Sequence, residues 1–212
     1  MRHYLLTPAL LLAACGSPDP APQPSATPTL SSEVATPTST VAATPAPAAS
    51  SSTRFVAADL VRQQWGKAEN RETCAPVAFT DVGGADGTPR AATFSGGWAV
   101  AFDLPDRRSA YGVAGPGLVQ ADRGPPYAKS RELAEQWPYR MELDQLERPS
   151  FAGYGLEGAK PYHAANSTGQ GENSLAYVRI HRQQCTYNVW SRLGRAHLET
   201  LLRGLQLLPR QN

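Results

Sequence analysis

Three histidines, a serine flanked by glycines and a spread of carboxylates are the residues past position 50 whose chemistry could support catalysis. His163, His181 and His197 show neither His-x-x-x-His spacing nor a nearby Glu in a metalloprotease pattern, so no metal site is expected. Ser95 lies in "FSGGW" (94–98), which lacks the Gly-x-Ser-x-Gly elbow of a nucleophilic serine and reads as a turn. Asp103 and Asp106 form a carboxylate pair of the kind that any domain of this size contains. "VGGADG" (82–87) and "AGPG" (114–117) have neither dinucleotide spacing nor a P-loop Lys, and both read as turns. No catalytic set and no cofactor follow from these residues. The alternative is a hydrolase whose groups meet only in three dimensions, with Ser95 or a carboxylate beside His163 or His181.

Aromatic side chains could bind sugar or peptide if they were exposed. Trp98, Tyr111, Tyr177, Tyr187 and Trp190 are the candidates. All lie in strand-like segments, where burial is the expectation. The net charge is +2, and no run of basic residues exceeds Arg107-Arg108. That balance excludes an electrostatic case for nucleic acid.

Three cysteines remain: Cys15, Cys74 and Cys185. Arg2 and the amino terminus make a positive start, followed by "YLLTPALLLAA", a stretch too short to span a bilayer. A positive end before a short apolar core is the pattern of a secretory signal. This one ends in Leu12-Ala13-Ala14-Cys15. The run resembles the lipobox of bacterial lipoproteins: an aliphatic residue, two small residues and an obligatory Cys. The resemblance covers about the first 15 residues. It implies that residues 1–14 are removed and that Cys15 becomes a lipidated first residue, carrying fatty acyl chains such as palmitate. Two or more chains give stable anchoring at about 0.8 kcal/mol per buried CH₂. Gly16, where enterobacterial lipoproteins retained in the inner membrane carry Asp, implies an outer-membrane protein facing the periplasm. With Cys15 taken by lipid in an oxidising compartment, Cys74 and Cys185 are expected to form a disulfide.

Composition then divides the chain into a signal (1–14), a tether (15–53) and one domain (54–212). Pro, Ala, Ser and Thr dominate the tether and offer little to bury, so it is expected to stay disordered. A flexible chain of that length spans roughly 35 Å, and a fully extended one about 120 Å. In the domain, residues 56–67 show helical periodicity. "WAVAFDL" (98–104) alternates as a strand, with Trp98, Val100 and Phe102 on one side and Ala99, Ala101 and Asp103 on the other. "SAYGVAG" (109–115) reads as the next strand. A helix is expected from Ser130 to Pro138, and a hairpin from Leu175–His181 and Cys185–Trp190. Leu198, Leu201, Leu202 and Leu205 mark a final helix.

Hairpins predominate over strand–helix–strand crossovers. The predicted fold class is therefore α+β, an antiparallel sheet packed by two to three helices, with a β-sandwich or small barrel as runner-up. The expected function is that of a non-catalytic, lipid-anchored envelope protein. Its domain would bind or assemble with an envelope protein or peptidoglycan.

Overall fold

The structure, a computed structural model, describes residues 53–94, 96–118 and 125–209. Cys15, the expected signal and most of the tether lie outside them, as does Ser95. In chain order the elements are α1 (Ala58–Lys67), β1 (Val77–Phe79), β2 (Thr88–Phe94), β3 (Gly97–Leu104), β4 (Arg107–Leu118) and α2 (Pro126–Gln136). There follow β5 (Tyr139–Glu142), β6 (Phe151–Leu156), a 3₁₀ turn (Ala164–Asn166), β7 (Ser174–Arg179), β8 (Cys185–Ser191), α3 (Arg195–Arg203) and β9 (Leu205–Leu207). The fold is α+β, as expected from the sequence.

Seven strands form one sheet in the order β2-β3-β4-β8-β7-β6-β5, and β1 pairs with β9 in a second, two-stranded sheet. All the pairings are antiparallel. The large sheet is two meanders, β2-β3-β4 and β5-β6-β7-β8, joined where β4 meets β8. The chain passes between the meanders through α2.

The alternation read in β3 sets the two faces. Trp98, Val100 and Phe102 lie opposite Gly115, Val113 and Tyr111, and that inner face continues through Val189 and Tyr187 to Ala176 and Val178. Val61 of α1 and Leu198, Leu201 and Leu202 of α3 close over it, together with Val77, Phe79 and Leu205 of the small sheet. The outer face carries a smaller cluster, in which Leu133 of α2 and Trp137, just past its end, pack against Phe151, Leu175 and Tyr177. Sheets buried on both faces lose the clean polar alternation of an exposed strand. Thus Ala99 and Ala101, on the side opposite Trp98, are buried too.

Local chemistry explains the departures from the sequence reading. α2 begins at Pro126, four residues before the expected Ser130, because Pro at the first helical position is pre-set for a helix. It stops at Gln136, since Trp137 precedes Pro138 and is extended. Leu205, expected on the last helix, belongs to β9. The helix caps at Gly204, where a Cβ would meet Asp81 backbone atoms at 2.9–3.0 Å, and the chain turns to pair Leu205 with Phe79. "AGPG" is no turn but part of β4. The register shifts between Ala114 and Gly117, and this irregularity admits Pro116, which has no N–H for the ladder. β7 ends at Arg179, two residues early, and Arg182 in the following turn takes φ 65°. Gly112 allows a close approach: a Cβ there would stand 2.3 Å from the Trp190 ring.

Candidate functional site

Cys74 and Cys185 form the expected disulfide, with Cα atoms 5.0 Å apart and a sequence separation of 111. Both are fully buried. The bond joins the loop after α1 to the first residue of β8, and Asn70 Nδ2 beside it donates to Gly115 O at 2.8 Å.

The histidines do not converge. His163 is exposed before the 3₁₀ turn. His181 sits in the β7–β8 turn, where its backbone N–H donates to Ser150 Oγ at 3.1 Å. Among the described residues, neither ring pairs with a serine or carboxylate. His197 is different. Its Nε2 lies 3.1 Å from Val82 O, which can only accept, so the proton is on Nε2. Nδ1 then accepts from Ser191 Oγ at 2.9 Å, and that oxygen accepts from Leu193 N–H at 3.0 Å. A Ser–His contact suggests a nucleophile, but Ser191 is fully buried and has no path to a substrate. The contact is a joint between β8, α3 and the loop after β1.

That joint has a pH signature. Burial holds His197 below its ordinary pKa, against the opposing pull of Val82 O and the Asp81 charge. The fold therefore favours neutral imidazole. This contribution is complete above the unfolded value of about 6.5 and is lost as pH falls below it. The urea midpoint of the wild type should drop between pH 7 and pH 5, and His197→Gln should flatten that drop. Parallel profiles would refute the assignment.

Asp103 and Asp106 are not an acid–base pair. Asp103 accepts from Ser109 N–H at 2.6 Å and from Arg90 Nε at 2.8 Å, and the Ser109 bond is the main reason its carboxyl is held below the usual range. Its role is to close the β3–β4 turn. Of the five aromatic candidates, Trp98, Tyr111 and Tyr187 are fully buried. The Tyr187 hydroxyl donates to Ala75 O at 3.0 Å, and burial pushes its phenol up. Tyr177 and Trp190 are half-buried on the outer face.

A cluster not foreseen from the sequence links α3 to β5 and β6. Tyr154 donates to Glu199 at 2.7 Å, and Arg195 donates to the same oxygen at 2.8 Å. The Arg195 guanidinium lies 3.8 Å over the Tyr139 ring. Burial, then the Glu199 bond, push Tyr154 up to about 12, so it stays a neutral donor. The i,i+4 spacing of Arg195 and Glu199 is a legible signal; their aromatic partners are not, since Tyr154 lies 45 residues from Glu199 and Tyr139 lies 56 from Arg195.

Cavities open on two sides of the described residues. One, of about 820 Å³, lies between α1, the disulfide loop and the chain after β9, with Trp65, Pro76 and Leu208 among its walls. The other, of about 490 Å³, lies between α2 and the outer face, over Leu133, Trp137, Leu175 and Tyr177. Among the described residues, no three His, Cys, Asp or Glu side chains meet in a way that could hold a metal ion. Nor is any described helix long and apolar enough to cross a membrane. Protein-family models, curated proteins and solved structures were compared with the chain, and none matches.

Proposed function

We propose that this is an envelope lipoprotein, anchored through Cys15 in the outer membrane. Its tethered domain (54–212) is a non-catalytic module that binds an envelope component, either a protein or peptidoglycan. The observation that carries the anchor is the run Leu12-Ala13-Ala14-Cys15 at the end of a short apolar stretch. The buried Cys74–Cys185 disulfide supports the reading, because such bonds persist in oxidising compartments. Binding rather than catalysis is supported by how the reactive groups are used. Asp103, His197 and Ser191 are each held by bonds that close a turn or join elements.

Metabolic labelling with a radiolabelled fatty acid tests the anchor. Wild-type chain should incorporate label and fractionate with membranes. Cys15→Ser should incorporate none, and equal labelling of the two would end the proposal.

A further inference from the structure

We propose that the free edge of β2 is a self-association surface, on which a second copy of this chain adds its own β2 antiparallel across a two-fold axis at Ala92. The proposal goes beyond the envelope reading above and holds whether or not Cys15 carries lipid.

The two edges of the large sheet differ. β5, at one end, has four residues, of which Arg140 and Glu142 are charged. A short, charged edge is protected against further pairing. β2, at the other end, has seven residues in unbroken register with β3. Its single charge, Arg90, is held by Asp103 at 2.8 Å. Phe94 at its end is 37% exposed, one of two large apolar side chains so exposed among the described residues. An edge of this kind is a template for another strand.

The hairpin fixes which backbone groups that edge presents. Two residues separate β2 from β3, and in such a hairpin the closing pair, Phe94 and Gly97, exchanges both hydrogen bonds. Alternation then turns the backbone groups of Ala92, Arg90 and Thr88 toward β3, and those of Thr93, Ala91 and Pro89 outward. Pro89 agrees with this assignment, since a proline belongs where its missing N–H would face solvent. Among the described residues no further strand pairs with β2. Ala91 O meets Arg90 Nη1 at 3.3 Å and keeps a second lone pair.

A second β2 is the occupant that completes this edge. A strand paired with its own copy must set outward residues against outward residues, so the axis falls on Arg90, Ala91 or Ala92. At Arg90, two guanidinium groups face each other. At Ala91, Thr93 O faces Pro89 of the second copy, which has no N–H to donate. At Ala92, Ala91 of each copy exchanges two hydrogen bonds with Thr93 of the other, and every outward N–H and C=O of both residues is used. The two Ala92 side chains are small enough for the close approach of a non-hydrogen-bonded pair. Arg90 then lies opposite Phe94 of the second copy, a cation against the exposed ring.

Sedimentation of the full-length chain in detergent, over a concentration series, tests the association, and cross-linking tests the register. Wild type should pass from monomer to dimer as concentration rises. Ala92→Cys under mild oxidation should give a covalent dimer, and wild type, with the same three native cysteines, should not. Ala91→Pro removes the outward N–H and should weaken the dimer by at least about tenfold. Its thermal midpoint should stay near that of wild type, because β3 does not use that N–H. If Ala91→Pro fails to fold, the exposed Phe94 carries the test. Phe94→Lys sets a second cation against Arg90 and should weaken the dimer by about tenfold more than Phe94→Glu. A wild type that stays monomeric overturns the proposal. So does a dimer that forms without the Ala92→Cys cross-link, or one that Ala91→Pro and Phe94→Lys both leave intact. Oxidation in cells that joins Ala92→Cys to a different protein assigns the edge to that partner and likewise overturns it. The fatty-acid labelling of Cys15 is read separately, and its failure leaves these readouts unchanged.

Discussion

Replacing Cys74 and Cys185 together by alanine is expected to lower the free energy of unfolding by about 3–5 kcal/mol, read as a fall in the urea midpoint. The two residues are 111 apart in sequence. Cutting a closed loop of that length frees the unfolded chain by about 4–5 kcal/mol in the chain-entropy model. The native state loses contacts as well. Both cysteines are fully buried within the main cluster, at the point where the loop after α1 meets the start of β8. Trp65 Nε1 donates to Cys74 O at 2.6 Å, so the position of α1 depends on that loop. Reduction of the wild type should give a similar fall. A loss below about 1 kcal/mol would mean that the loop is already constrained when unfolded.

Phe102→Ala is expected to cost about 3–5 kcal/mol, with Phe102→Leu costing nearer 1. Phe102 is buried and stacked on Tyr111, with ring centroids 4.6 Å apart and planes 6° from parallel. Phe79 of the small sheet lies 6.0 Å away. The loop 82–87 closes around this stack. Tyr111 donates to Ala85 O and accepts from Gly87 N–H at 3.1 Å, and a Cβ at Gly87 would meet Phe102 Cβ at 2.9 Å. His197 packs edge-on against Tyr111 at 5.1 Å. Removing the Phe102 ring therefore leaves a void at the junction of both sheets and α3, where neighbours held by hydrogen bonds cannot collapse to fill it. Equal losses for alanine and leucine in urea denaturation would show that the aromatic stack, rather than volume, is what counts.

Where pattern is local, the sequence was a sound guide. The alternation in β3, the apolar face of α3 and the β7–β8 hairpin all occur close to the expected positions. β1, β2, β5, β6 and β9 were not foreseen. β1 and β9 are three residues each, and β6 is "FAGYGL", in which two glycines obscure any alternation. Those glycines admit α2: a Cβ at Gly153 would meet Trp137 at 2.9 Å, and one at Gly155 would meet Pro138 at 2.8 Å. A residue selected for what packs over it carries no period of its own.

The outer face of the sheet shows the same division. Tyr177 was a candidate on aromatic character alone. Trp137 carries only a helical signal in the sequence, and nothing there marks Asn188. Nothing along the chain links positions 137, 177 and 188. They share a face because β7 and β8 pair with Tyr177 opposite Asn188, and because the connection between the meanders lays α2 across β6.

The sequence by itself determined the α+β class and the pairing of two cysteines, since these rest on short-range periodicity and on residue chemistry. Only the tertiary structure decided that His197 and Ser191 form a buried joint, that Asp103 closes a turn, and that Trp137 packs against Tyr177 on the outer face. Burial and hydrogen-bond partners come from strand register and helix packing, which act between residues far apart in the chain.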